Sequence, residues 1–532
     1  MGSANSRDRT HLITTSRCSE LVPYSKGCQI SEKPATVKNE ALFMSTPHLF
    51  AILDRYPSAD GRELRTLPQA TDWVEVLADL TGDLDPDWLR QHFRGQFLYS
   101  LRQNSLEPCS SGDSEQHRNR LLWAVHRYDL IDIDAGRDLG SSFVDSIPPS
   151  KRMISCRGPA IDLVEFQASV RRLLSIPARF YRFIITSTCV HDELVPLLML
   201  RAFGRSDILA YATGETGSWS RLLAPCCGAP AVFGVIDNGS ANSKEPTISQ
   251  LVNDYNYTAL PSVKEIYGII GEPITRSLSP RIHNGAYQSL NQAALYLPFA
   301  GSSLADYWQQ FVCLRALEPL GVSLRGFTVA APNKEKILAY APVTSRLVRR
   351  AGSANIAISC RRGWVAGTTD PIGIIGPLRS RGIPLRKKRA AIIGCGGSGR
   401  AAAVALARAG AAVTLVNRSE KRGLQVAHRL GIPFVSLSWF RPHGFDIVVN
   451  ATPVGRVAES TPFAAEELER NSIVIDLVYG NRPTRLVTRA REFGHTVIDG
   501  YEVLLAQSCR QFRLMTGKRL PNAIIERVRP GW

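Results

Sequence analysis

The stretch "AAIIGCGGSGRAAAVALARAGAAVTLVNRSEKR", Ala390 to Arg422, sets Gly394, Gly396 and Gly399 at G-x-G-x-x-G spacing between a short apolar run and an Ala-rich segment. Strand, glycine turn, helix and second strand form the context in which this spacing binds a dinucleotide. One glycine permits the tight turn, one lets the backbone approach a pyrophosphate, and one lets the helix pack closely on the strand. Gly397 and Ser398 complete the turn, and the N-terminus of the helix that follows faces the phosphates. The second apolar run ends in Asn417, Arg418 and Ser419, with Lys421 and Arg422 just beyond, where an NAD site carries an acid for the ribose 2′-hydroxyl. A carboxylate would repel a 2′-phosphate, whereas a guanidinium attracts it and can bind it bidentately. The expected cofactor is NADP.

The elements that position this turn lie in a long α/β pattern. From about Pro47 to Asn256 the runs "DWVEVLADL", "QFLYSLR", "YDLIDID", "KRMISC", "FYRFIITS", "DILAYATG" and "PAVFGVI" alternate with helix-like stretches. Such alternation over roughly two hundred residues predicts a parallel barrel or an open doubly wound sheet. A second α/β pattern begins at "IYGIIGEPITRSLSPRIHNGAY" and runs to about 375, the nucleotide unit follows to about 500, and "GYEVLLAQSCRQFRLMTG" reads as a terminal helix.

Composition narrows the function classes. The 532 residues suffice for about three domains. Hydrophobic content of 44% and charged content of 21% are ordinary for a globular protein, and no apolar run is long enough to span a bilayer. Eleven cysteines without C-x-x-C pairs point to a reducing cytoplasm and to no structural metal. Residues 1–43 are polar and unpatterned, lack a secretory signal, and read as a flexible extension. The formal charge of +17 invites a nucleic-acid reading, but the arginines are spread through both halves, and anionic small substrates account for some of the excess.

Residues 265–532 resemble shikimate dehydrogenase in "GIIGEPITRSLSPRIHN", "GFTVAAPNKE", "GSAN", "GTTDPIG", "GCGGSGRAAA", "NRS", "NATPVG", "DLVYG" and "DGYEVLLAQ". The resemblance implies a substrate-binding α/β domain over 265–375, completed by 500–532, and an NADP-binding Rossmann domain over 376–499. It implies Lys334 and Asp370 as the catalytic pair: reduction of a ring ketone needs a hydride donor and a proton donor at the oxygen. It implies further that Ser277, Ser279, Asn355, Tyr479 and Gln507 contact an anionic ring acid, and that Thr452 lies at the cofactor. Two motifs depart from the family pattern. The usual Asn-Val-Thr-x-Pro is Thr328-Val329-Ala330-Ala331-Pro332, which removes a substrate-contacting hydroxyl at Ala330, and the Asn of Asn-Thr-Asp is Thr368.

Residues 44–258 resemble type I 3-dehydroquinate dehydratase, which implies a (β/α)8 barrel. That family forms a Schiff base through a lysine, assisted by a histidine. Here the lysine position is Arg182 and the histidine position Arg157, and arginine keeps its charge but offers no amine nucleophile. The family's Glu-x-Arg-x-Asp reads Glu75-Val76-Leu77-Ala78-Asp79. Arg102, Asp132, Asp134 and Arg221 still match, which gives the expectation of an anion pocket without its covalent catalyst. Three functions fit these residues: a dehydrogenase fused to an inactive barrel, a bifunctional enzyme, and a metabolite-sensing regulator or quinate dehydrogenase.

Overall fold

The computed structural model describes residues 46–102, 111–139, 142–214, 219–237, 245–260, 262–274, 277–300, 303–456, 459–480 and 482–528. The extension expected over residues 1–43 lies outside them.

Eight parallel strands come first: β1 (His48–Leu53), β2 (Trp73–Leu77), β3 (Gln96–Ser100), β4 (Leu130–Asp134), β5 (Arg152–Pro159), β6 (Phe180–Ser187), β7 (Ile208–Gly214) and β8 (Ala231–Val235). Their order, β7-β6-β5-β4-β3-β2-β1-β8, curls them into a barrel. All the expected runs become strands except the end of "DWVEVLADL", where Ala78–Thr81 turns into a short helix, and β1 is a strand in addition to those runs. Side chains alternate in and out along each strand, so the interior is built in layers. Phe50 stacks on Trp73 and Phe233 at ring separations of 5.1 and 4.5 Å, and with Leu130, Met153 and Phe180 this fills the lower barrel. The next inward positions are Glu75, Asp132, Ser155 and Arg182, two residues further along β2, β4, β5 and β6.

A mixed sheet follows, from β9 (Glu265–Gly271), β10 (Ala294–Ala300), β11 (Ser323–Val329), β12 (Val343–Thr344), β13 (Ile356–Cys360) and β14 (Gly363–Gly367), in the order β10-β9-β11-β13-β14-β12. The C-terminal helices Gly500–Thr516 and Asn522–Val528 return to this unit, burying Phe512, Met515 and Ile524 with Tyr267 and Tyr287.

The last sheet is wholly parallel: β15 (Arg389–Ile393), β16 (Ala412–Asn417), β17 (Phe434–Ser436), β18 (Ile447–Asn450), β19 (Ile473–Asp476) and β20 (Thr496–Ile498). Its order, β17-β16-β15-β18-β19-β20, is the doubly wound arrangement with its switch point between β15 and β18, where such sheets bind ligands. Helix Gly397–Arg408 starts there and buries Ala401, Ala402, Ala403 and Ala405, small side chains that let it lie close on the sheet. Among the described residues no helix is long and apolar enough to cross a membrane.

Gly399 is where close approach is tightest. A methyl there would sit 1.8 Å from the carbonyl oxygen of Gly394, itself at φ +109°. Backbone cannot yield as a side-chain tip can, so Gly399→Ala is expected to cost about 1–3 kcal/mol or more. Thermal denaturation checks this, and an unchanged midpoint would show that the turn opens without strain.

Candidate active site

Asp370 opens helix Asp370–Ser380 and is buried, at 2% exposure. Buried carboxylates need donors, and three side chains supply them. Lys334 Nζ donates to Asp370 Oδ1 and Oδ2 at 3.1 and 2.9 Å, Asn355 Nδ2 donates to Oδ1 at 3.0 Å, and Gln507 Nε2 donates to Oδ1 at 3.0 Å. Asn355 is held in turn by Thr369, whose backbone N–H donates to Asn355 Oδ1 at 2.7 Å. Lys334 Nζ also donates to Ser398 Oγ at 2.7 Å, which sets the lysine against the glycine turn.

A second chain of polar groups leads from this centre to Ser277 and Ser279. Gln511 Nε2 donates to Thr369 Oγ1 at 3.2 Å, Gln511 Oε1 accepts from Thr328 Oγ1 at 3.3 Å, and Thr328 Oγ1 accepts from the Tyr296 hydroxyl at 2.6 Å. The Tyr296 hydroxyl also meets the side chain of Ser279, and the Tyr479 hydroxyl meets that of Ser277. Sequence reasoning gave no role to Gln511, Thr328 or Tyr296. For Gln511 a signal existed: it lies four residues after Gln507 on one helix and so on the same face.

At the glycine turn, Gly396 caps helix Gly397–Arg408, and a Cβ there would meet nothing within 4 Å, so the backbone borders open space. Thr452 follows β18 beside Gly394, and its hydroxyl donates to Asn450 Oδ1 at 2.7 Å. Asn417 Oδ1 accepts from the Cys395 N–H at 3.1 Å, and Ser419 caps helix Glu420–Leu430. Arg418 is exposed, while Arg422 Nη2 pairs with Glu335 Oε1 at 2.7 Å. Glu335 also takes Arg400 Nη2 at 2.7 Å.

In the barrel, Arg182 is wholly buried and uses every nitrogen. Nη1 donates to Glu75 Oε1 at 2.9 Å, Nη2 to Asp132 Oδ2 at 2.6 Å and Nε to Ser155 Oγ at 2.9 Å, while the guanidinium carbon lies 4.9 Å from the Phe233 ring centre. Ser155 donates on to Asp132. Arg157 Nη2 reaches Asp132 Oδ2 at 2.8 Å and its Nη1 reaches Asp134 Oδ2 at 3.4 Å, and Arg102 Nη2 meets Glu75 Oε2 at 2.6 Å. Burial raises the pKa of Glu75, but Arg102 and Arg182 outweigh it and hold the group below its ordinary value. Burial likewise opposes ionisation of Asp132, and Arg182 and Arg157 hold its carboxyl well below the usual range. For Asp134 burial wins over Arg157 and the pKa is raised. Arg221 is buried as well and pairs with Glu245 Oε1 at 2.8 Å. The expected anion pocket is therefore occupied by the chain's own carboxylates: residue types alone do not say with which partner each arginine is paired.

The shikimate dehydrogenase (NADP(+)) of Natronomonas pharaonis is 35% identical over 261 residues, covering 48% of this chain and 95% of that protein. The chain belongs to the shikimate dehydrogenase family. The family model described as shikimate dehydrogenase substrate binding domain matches residues 269–357, and that described as type I 3-dehydroquinase matches residues 58–260. An Arabidopsis thaliana protein named bifunctional 3-dehydroquinate dehydratase/shikimate dehydrogenase, chloroplastic, is 27% identical over 493 residues, 85% of this chain and 79% of that one. Among solved structures, shikimate 5-dehydrogenase from Thermus thermophilus in complex with NADP(H) and shikimate is 30% identical, covering 50% of this chain and 98% of that one, with a TM-score of 0.44.

Within this member of the shikimate dehydrogenase family the charge balance of the barrel cluster sets its pH response. Removing Arg182 takes one cation from each of two buried carboxylates and leaves Glu75 to Arg102 and Asp132 to Arg157, so Arg182→Ala is expected to cost about 3–5 kcal/mol at neutral pH. Wild-type Glu75 and Asp132 have depressed pKa values, so their contribution is present above the unfolded value of about 4 and is lost as pH falls through the folded one. In the variant those carboxyls lose a cation, and protonation relieves them. The stability gap should therefore be widest at neutral pH and narrow on acidification, which denaturant titrations at several pH values measure. A gap that does not change with pH contradicts the account.

Proposed function

We propose that the chain is an NADP-dependent shikimate dehydrogenase, interconverting 3-dehydroshikimate and shikimate, and that its barrel does not dehydrate 3-dehydroquinate. The domains follow from this reading: a barrel over 44–258, a substrate domain over 265–375 completed by 500–532, and a cofactor domain over 376–499. The observation that carries the first half is the convergence of Lys334, Asn355 and Gln507 on buried Asp370, with Lys334 touching the glycine turn through Ser398.

The residues present fit NADP. Gly396 leaves open space at a helix N-terminus, Gly399 lets the turn close, and exposed Arg418 offers a guanidinium for the 2′-phosphate. The nicotinamide of NADPH supplies the hydride when bound. Everything else falls to side chains. Lys334 has three N–H donors, two turned to Asp370 and one to Ser398. A ketone oxygen displaces Ser398, takes the third N–H, and receives the proton from Nζ as its negative charge develops. Asp370 keeps the ammonium aimed, and Asn355 and Gln507 fix Asp370. Ser277 and Ser279 hold the ring carboxylate, with Tyr479 behind Ser277. Ala330 offers no hydroxyl, and that of Thr328 is engaged by Tyr296 and Gln511, so ring binding leans on the remaining contacts.

The second half rests on Arg182. A guanidinium remains protonated and cannot form a Schiff base, and here it is locked between two carboxylates. Within 44–258 the lysines are Lys151 and Lys244. Lys151 Nζ donates to the carbonyls of Val125 and Tyr128, next to the start of β5 and away from the strand ends where barrel enzymes react. Lys244 lies outside the described residues. Similarity to the bifunctional Arabidopsis protein over 493 residues favours the alternative in which both sites act.

Lys334→Ala should lower kcat with 3-dehydroshikimate and NADPH by about 10²–10⁴, the contribution of a positioned proton donor. NADP binding, measured by fluorescence titration, should be nearly unchanged. Undiminished turnover would remove Lys334 from the mechanism.

A further inference from the structure

Besides apolar packing, a buried charge of the barrel meets the dehydrogenase. Asp254, at 5% exposure, ends the barrel's last helix, Ile248–Asn253, and its carboxylate accepts from Arg281 Nε at 2.6 Å. Arg281 is the third residue of helix Ser279–Ser289, whose first turn carries Ser279 and is preceded by Ser277. One turn on, Asn284 Nδ2 donates to the Asp254 carbonyl oxygen at 2.9 Å. The same amide is fixed on β10, donating to the Tyr296 carbonyl at 3.1 Å and accepting from the Tyr296 N–H at 2.7 Å. Arg281 and Asn284, three residues apart, share a helix face, and that face is held by both domains.

We propose that Asp254 is a positioning residue for the dehydrogenase: by gripping Arg281 and Asn284 it sets the helix that presents Ser277 and Ser279 to the substrate carboxylate. This rests on the assignment of those serines given above. The Tyr296 hydroxyl, which meets Ser279, belongs to the same unit, so a slip of this helix shifts the serine and its neighbour together. Small misplacements of binding groups have large effects, and contacts to a non-reacting carboxylate act mainly on binding. A barrel without chemistry of its own thereby acts on the reaction next door.

The test uses the full chain. Asp254→Asn keeps the shape and the backbone carbonyl but removes the charge. It should raise KM for shikimate about five- to tenfold, leaving kcat and KM for NADP within about twofold. Arg281→Met should do the same, and the double variant should be no worse than either single one, because the two residues act as a pair. A purely structural contact would move the thermal midpoint without this KM split. The proposal is overturned if shikimate KM is unchanged in Asp254→Asn, if both KM values rise together, or if the two single effects add. Ser277→Ala separates the inference from its premise. If it raises shikimate KM while Asp254→Asn does not, only the inference fails; if it leaves KM unchanged, the serine assignment fails and the inference with it.

Discussion

A carboxylate taken out of water must be met by cations or N–H donors, and Asp370 and the pair Glu75 and Asp132 meet this constraint in different ways. At Asp370 the cation is Lys334, a flexible point charge with three separable donors, one of which is turned to a hydroxyl that a substrate oxygen can replace. At Glu75 and Asp132 the cation is Arg182, a planar fork whose three nitrogens are all engaged by fixed barrel groups. Both solutions neutralise the charge. In the reading proposed above, the first leaves a proton that can be delivered and the second leaves no amine to react.

The same constraint explains why the barrel persists as a packed body. Arg182 on β6 joins β2, β4 and β5 across the interior, and Arg157 and Arg102 extend the network toward the strand ends. The aromatic layer of Phe50, Trp73 and Phe233 closes the space beneath. The barrel's outer core is continuous with the neighbouring domain, where Trp219 packs on Phe299 and Phe311 at 5.9 and 5.3 Å. Asp254 adds a polar contact at that border, next to the helix that the proposed substrate site uses.

What the sequence made legible follows from how locally each feature is specified. The glycine turn is dictated by backbone geometry, so its spacing and flanking runs suffice, and the strand order places it at the switch point. Barrel strands were legible as apolar runs between helical stretches. β1, "HLFAIL", was passed over because a single apolar run without alternation or a helical stretch before it carries little signal. Lys334 and Asp370, 36 positions apart, were legible through motifs, but the polar chain through Tyr296, Thr328 and Gln511 was not, since it joins three elements distant in sequence. The pairing within the anion pocket was not legible for the same reason: Arg102 and Arg221 read as available cations until Glu75 and Glu245 are seen beside them.

The contrast between the two centres is tested most directly by product analysis of the full chain. With NADPH and 3-dehydroshikimate, shikimate should form. With NADPH and 3-dehydroquinate, no shikimate should appear even at long incubation, because Arg182 cannot supply the amine that dehydration requires. Shikimate formed from 3-dehydroquinate would contradict the account and show that the barrel, too, is a working active site.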